Sequence, residues 1–117
     1  MAAYKTVMVD VDGTLVFDML HKGFDRDKSF CVNYVNGPVW LTRHDANIDL
    51  VKIFHGLGYE VIVWSRTGRD WAQLVVDAVG LKYYVSQCLT KPLYYIDDED
   101  ANGWMGSRRW LEPKLKS

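Results

Sequence analysis

Asp10 and Asp12 stand one valine apart in TVMVDVDGTL, residues 6–15, where an apolar run ends in two acids, a glycine and a threonine. Carboxylates this close repel each other, so the pair needs a reason. A divalent cation supplies one, because hard cations bind carboxylate oxygens and offset their repulsion. A plainer reading is a turn whose acids cap a loop or a helix. Other residues with chemical capacity follow apolar runs in the same way. Ser65 closes VIVW, Asp97 and Asp98 close LYYI, and Lys91 lies between them.

These residues need elements that bring them together. Residues 5–10, KTVMVD, are β-branched and apolar, which predicts a central parallel strand buried on both faces. Residues 61–64 predict a second. Between them Ile48, Leu50, Val51, Phe54 and Leu57 recur at helical spacing, with Thr42 or Asp45 as N-cap and Gly56 or Gly58 as the stop. A second helix is predicted within 68–81, where Trp71, Leu74, Val75 and Val79 share a side. Short strands are predicted at 82–88 and 93–96.

Alternating strands and helices imply an α/β domain with a parallel sheet, and ligands bind such sheets beyond the carboxyl ends of the strands. Asp10, Ser65 and Asp97 are each predicted at such an end. Residues 17–41 break the alternation. Their Asn36-Gly37 step, between two apolar stretches in 29–41, predicts a hairpin flap over the strand ends. The tail, 99–117, is expected to pack on the body through Trp104, Met105, Trp110 and Leu111, with a short helix.

Taken in order, VMVDVDGTL, VIVWS, Lys91 and YYIDD resemble the four motifs of the haloacid dehalogenase superfamily of phosphohydrolases. The likeness runs from about Lys5 to Asp100. It implies one Rossmann-like three-layer domain over 1–117, with the hairpin at about 17–41 in place of a cap domain, as in the small capless branch. The chain departs from the commoner pattern in one respect. Only PLYYI separates Lys91 from Asp97, where a helix is usual, and Lys82 is the alternate lysine.

The resemblance also implies roles. Asp10 would be the nucleophile that forms an aspartyl-phosphate. Asp12 would protonate the leaving oxygen and then activate water, work that suits a raised pKa. Ser65 and Lys91 would hold the transferring phosphoryl oxygens. Mg²⁺ would be bound by Asp10, the backbone carbonyl of Asp12 and Asp97, with Asp98 nearby. Gly13 and Thr14 would form a phosphate-binding turn, and Arg66, in the SRTGRD stretch before the second helix, would contact substrate.

The implied activity is Mg²⁺-dependent hydrolysis of a small phosphomonoester such as a nucleotide or sugar phosphate. Processing of nucleic-acid ends is the alternative. A local patch of Arg26, Arg43, Arg66 and Arg69 favours it, and a net charge of −1 over 117 residues does not. A phosphoacceptor or binding module is the rival of another class, and Asp12 discriminates against it, since a general acid two residues from the nucleophile speeds hydrolysis.

Composition sets the frame. With 49% apolar and 14% aromatic residues the chain can bury a core as a single domain. No apolar run approaches the roughly 20 residues of a membrane span. Cys31 and Cys88 have no metal spacing and are expected to be reduced and buried. A cytoplasmic monomer or small homo-oligomer is expected. His21, His44 and His55 show no zinc spacing. Arg43 and His44 open a helix within reach of a substrate, and Trp40 is the best stacking candidate among five tryptophans.

Overall fold

The computed structural model describes residues 4–111; positions 1–3 and 112–117, part of the expected domain and tail, lie outside the described residues. In chain order the elements are β1 (Thr6–Asp10), β2 (Val16–Phe17), β3 (Phe30–Tyr34), β4 (Gly37–Arg43), α1 (Asp45–Gly56), β5 (Glu60–Ser65), α2 (Arg69–Ala78) and β6 (Gln87–Thr90). They form an α/β fold with two sheets. One is parallel, in the order β1-β5-β6, and the other antiparallel, in the order β2-β4-β3.

The parallel sheet forms because β-branched runs alternate with amphipathic helices that cover it. Val9, Val61 and Val63 meet Ile48 and Val51 of α1 and Trp71, Ala72, Val75 and Val76 of α2 in one core. Each valine or isoleucine side chain taken fully from water contributes roughly 1.5–3 kcal/mol. Register sets the mouth of the sheet, with Asp10 opposite Trp64 on β5 and Ser65 opposite Thr90 on β6. Lys91 follows directly.

Several expectations are corrected. β1 is an edge strand, not a central one, and only Val9 of its residues is buried. The strand expected at 82–88 lies at 87–90, because Tyr83 and Tyr84 pack edge-on against each other and around His55 in a turn. The strand expected at 93–96 does not form. Leu93, Tyr94, Tyr95 and Ile96 are exposed coil. Lengths explain this: a parallel strand needs a crossover of about a dozen residues, and only Lys91 and Pro92 follow β6.

The flap is also more than a flap. Its strands join β2 in the antiparallel sheet, and Val32 and Leu41 belong to the core. Tyr34 pairs with Gly37, so the two-residue turn is Val35-Asn36, one position earlier than the Asn36-Gly37 signal implied. Val35 takes φ +22°, unusual for a β-branched residue, on an exposed tip. The helix expected in the tail is a single 3₁₀ turn, Ala101–Gly103. Cys31 and Cys88 are both free thiols, but Cys31 is exposed. Among the described residues no helix is long and apolar enough to cross a membrane.

Candidate active site

The turn after β1 is built from the carbonyl of Val11, which accepts from the amides of Thr14 (3.1 Å), Leu15 (2.8 Å) and Val16 (3.4 Å). Gly13 takes φ +79°, a conformation that side chains resist. Leu15 and Val16 anchor the far side of the turn in the core. Asp10 and Asp12 are thus held at the carboxyl end of β1 by packing on either side of them. The amides of Gly13 and Thr14, expected to face a phosphate, are already engaged. Gly13 donates to Val16 at 2.8 Å and Thr14 to Val11. These two residues shape the turn and offer no free amide.

Asp12 is the most constrained acid. The indole N–H of Trp71 donates to both of its carboxylate oxygens, at 3.2 and 3.3 Å. Its pKa is nevertheless raised above the ordinary carboxylate value. Burial of the carboxyl is the largest cause, and the negative charges of Asp10 and Asp18 add to it. The Trp71 bond acts the other way, as does the Ser65 hydroxyl to a lesser degree. Ser65 is fully buried, and its hydroxyl oxygen accepts from the amide of Thr67 at 3.1 Å, which aims the hydroxyl.

Lys91 joins from β6. Its amide donates to the Ser65 carbonyl at 2.9 Å, tying the ends of two strands, and its ammonium stands 3.9 Å from Asp10 Oδ1 and 5.8 Å from the centroid of the Trp64 ring. Lys82, the alternate, is exposed before β6 begins, hence at the opposite end of the parallel sheet from Asp10. Arg66 is exposed in the turn after Ser65. The amide of Arg69, first in α2, bonds to Thr90 Oγ1 at 3.1 Å, which seats the helix over the ends of β5 and β6.

Asp10, Asp12, Ser65 and Lys91 therefore come together. Asp97 and Asp98 do not join them. Both are exposed, and an Asp97 carboxylate oxygen accepts from the amide of Glu99 at 3.0 Å. Among the described residues no three His, Cys, Asp or Glu side chains form a cation-binding group. Magnesium needs only one or two protein carboxylates when phosphate and water supply its remaining oxygens. The all-oxygen pair at the end of β1 fits that demand.

Two other expectations fail for physical reasons. His44 does not face a substrate. It is buried as the N-cap of α1, where its Nδ1 accepts from the Asn47 amide at 3.3 Å. Arg43 is tied to Asp45 (3.0 Å) and to the Val79 carbonyl (3.3 Å), which takes it out of the supposed basic patch. The sequence reading overlooked Trp71 as a site residue, assigning it to packing. Its place in the first turn of a helix that begins at the mouth of the sheet was the available signal. His21 packs beside the same turn. Its ring stacks on Phe17 and lies against Gly13, with Nδ1 accepting from the Gly23 amide at 2.9 Å. A cleft of about 370 Å³, lined by His55, Tyr59, Tyr83, Tyr84 and Ser86, opens at the other end of the sheet and contains none of the expected site residues.

No protein-family model matches the chain, and no curated protein or solved structure matches it.

Proposed function

We propose that this protein is a phosphomonoester hydrolase that uses Mg²⁺ and an aspartyl-phosphate, on a single Rossmann-like domain of the haloacid dehalogenase type. One observation carries the reading: a half-exposed carboxylate, a carboxyl with a raised pKa, a buried serine and a lysine meet at the carboxyl end of one parallel sheet.

In the proposed reaction an Asp10 oxygen attacks phosphorus, and the bond from phosphorus to the leaving oxygen breaks. Asp12, protonated, gives its proton to that oxygen. Asp12 then takes a proton from water, which attacks the phosphorus of the aspartyl-phosphate and frees inorganic phosphate and Asp10. Trp71 orients Asp12 throughout. Ser65 and Lys91 hold equatorial phosphoryl oxygens, where Lys91 neutralises charge beside Asp10. Asp10 and the Asp12 carbonyl would hold Mg²⁺, which supplies Lewis-acid neutralisation of the phosphoryl charge. Asp97 and Asp98 are proposed as further carboxylates toward that ion. The segment that carries them leaves the sheet at the same end, six residues after Lys91, a reach of at most about 20 Å.

A small phosphorylated metabolite is the favoured substrate. With Arg43 held by Asp45 and Val79, the patch argued for nucleic-acid ends is reduced. The test is phosphate release over nucleotides, sugar phosphates and end-phosphorylated oligonucleotides, with Mg²⁺ and with excess chelator. Release is expected with Mg²⁺ and lost in chelator. Full activity in chelator would sink the metal role, and no release from any substrate would sink the reading.

A further inference from the structure

The tail returns to the turn that carries Asp12. Trp110 Nε1 donates to the Gly13 carbonyl at 3.3 Å. The next residue is gripped twice: the Leu111 amide donates to Asn47 Oδ1 at 3.3 Å, and the Leu111 carbonyl lies 2.8 Å from His44 Nε2. Since His44 Nδ1 accepts from Asn47, Nε2 carries the proton and is the donor to Leu111. Asn47 completes the tie, donating through Nδ2 to the Thr14 carbonyl at 3.0 Å. His44 and Asn47 are both buried, an expensive place for polar side chains unless each hydrogen bond is made. Beyond the His44 cap of α1, their side-chain bonds go to the turn at 13–14 and to the tail.

Arg108 rides on this anchor. Its guanidinium lies over the Trp110 ring, 5.9 Å from the centroid. One indole therefore separates a positive charge from the Gly13 carbonyl. The neighbouring Arg109 is occupied with Ser107, at 3.1 Å. Direction matters here. Lys91 approaches Asp10 from β6, on the side proposed for the phosphoryl group, whereas Trp110 meets the turn at Gly13, just past Asp12. If Asp12 protonates the leaving oxygen, the strap borders the leaving group.

We propose that residues 108–111 form a specificity strap: Trp110 is a positioning residue for the Asp12–Thr14 turn, and Arg108 recognises a second anionic group carried by the leaving group of the substrate. This rests on the phosphohydrolase reading and names its substrate class, a phosphomonoester with a further phosphate or carboxylate. Three hydrogen bonds hold residues 110–111 against the turn and α1, and the cation–π contact seats Arg108 on Trp110.

The test compares glucose 1-phosphate with glucose 1,6-bisphosphate on the full chain, by steady-state kinetics and by calorimetric titration. The unmodified protein is expected to favour the bisphosphate, with KM and Kd lower by roughly three- to tenfold, the scale of one exposed charge-assisted contact. Arg108→Ala should erase that preference, and Arg109→Ala should keep it. Trp110→Phe retains the ring but not the donor. It should lower kcat on both compounds and weaken the preference, a split between kcat and KM that loss of folded protein alone does not produce. A preference absent from the unmodified protein, or kept in Arg108→Ala, overturns the strap. If neither compound is hydrolysed, the phosphohydrolase reading fails by itself. The calorimetric preference and its loss in Arg108→Ala still decide whether the strap binds the second anion.

Discussion

Two segments of this chain have the same design on paper: an apolar run followed by a pair of acids. VMVDVD becomes a strand and a held site, whereas LYYIDD becomes exposed coil. The difference lies in what each can pair with. β1 finds β5 in register over five residues, and Val11, Leu15 and Val16 bury the turn beyond it. Residues 93–96 begin three positions after β6, directly behind Pro92, which lacks an amide donor. Their apolar side chains stay in water, with Leu93 85% exposed and Tyr94 87%. An apolar run before an acid pair makes a site only when the chain on both sides of the pair is committed to the fold.

That contrast ranks the expected effects. Asp10→Asn should cut turnover by at least about a thousandfold and abolish covalent phosphate, as loss of a nucleophile does. Rapid-quench labelling and steady-state rates check this, and near-normal activity would remove Asp10 from the role. Asp97→Asn should matter less, because its carboxylate is not in the held group. An increase of about tenfold in the Mg²⁺ needed for half-maximal rate is expected, the scale of an outer carboxylate near a metal. A collapse as deep as that of Asp10→Asn would erase the contrast, and would mean that the working enzyme brings the second acid pair fully into the site.

The parts that were legible in the sequence are those fixed by local pattern. Helical spacing located α1 and α2, continuous β-branched apolar runs located β1 and β5, and the place of Asp10 and Ser65 at the ends of those runs put them at one end of a sheet. Lys91 also reaches the site, through β6. What failed depended on pairing or on distant chain. The edge position of β1, the one-residue shift of the hairpin turn and the fate of 93–96 are set by which strands find partners. Trp71, His44 and Asn47 serve the site through contacts 33 or more residues away in sequence, and no local pattern announces them.

Trp71 offers a finer probe of the held pair. Its N–H favours the charged form of Asp12 and so lowers a pKa that burial raises. In Trp71→Phe that opposition is gone, and the Asp12 pKa should rise further. A general acid with a higher pKa stays protonated to higher pH, so the alkaline limb of kcat/KM should move upward. The loss of one hydrogen bond that orients the acid should meanwhile lower the maximum by about two- to fivefold. A profile that falls in height without moving would assign Trp71 to orientation alone. Asp98→Asn, in the exposed segment, should leave the limb where it is.

The smallest effect concerns stability, and it too separates the segments. Asp12 has a folded-state pKa raised above its unfolded value, so the native state binds its proton more tightly than the unfolded chain does. Its contribution is therefore most favourable below the unfolded value, near 3.8, and declines as pH rises from there through the folded pKa. Above the folded pKa the ionised carboxyl, buried and beside Asp10 and Asp18, works against folding. Asp12→Asn removes that charge while its amide oxygen can still accept from Trp71. The variant should turn over slowly yet melt slightly higher at pH 7, by about 1–3 °C, with the gap closing toward pH 4. The same exchange at Asp98, which is exposed and outside the cluster, should leave Tm unchanged at both pH values. Calorimetry of the three proteins at the two pH values decides it. A lower Tm for Asp12→Asn at pH 7 would mean that the Asp12 carboxylate stabilises the turn more than its repulsion from Asp10 and Asp18 disfavours it.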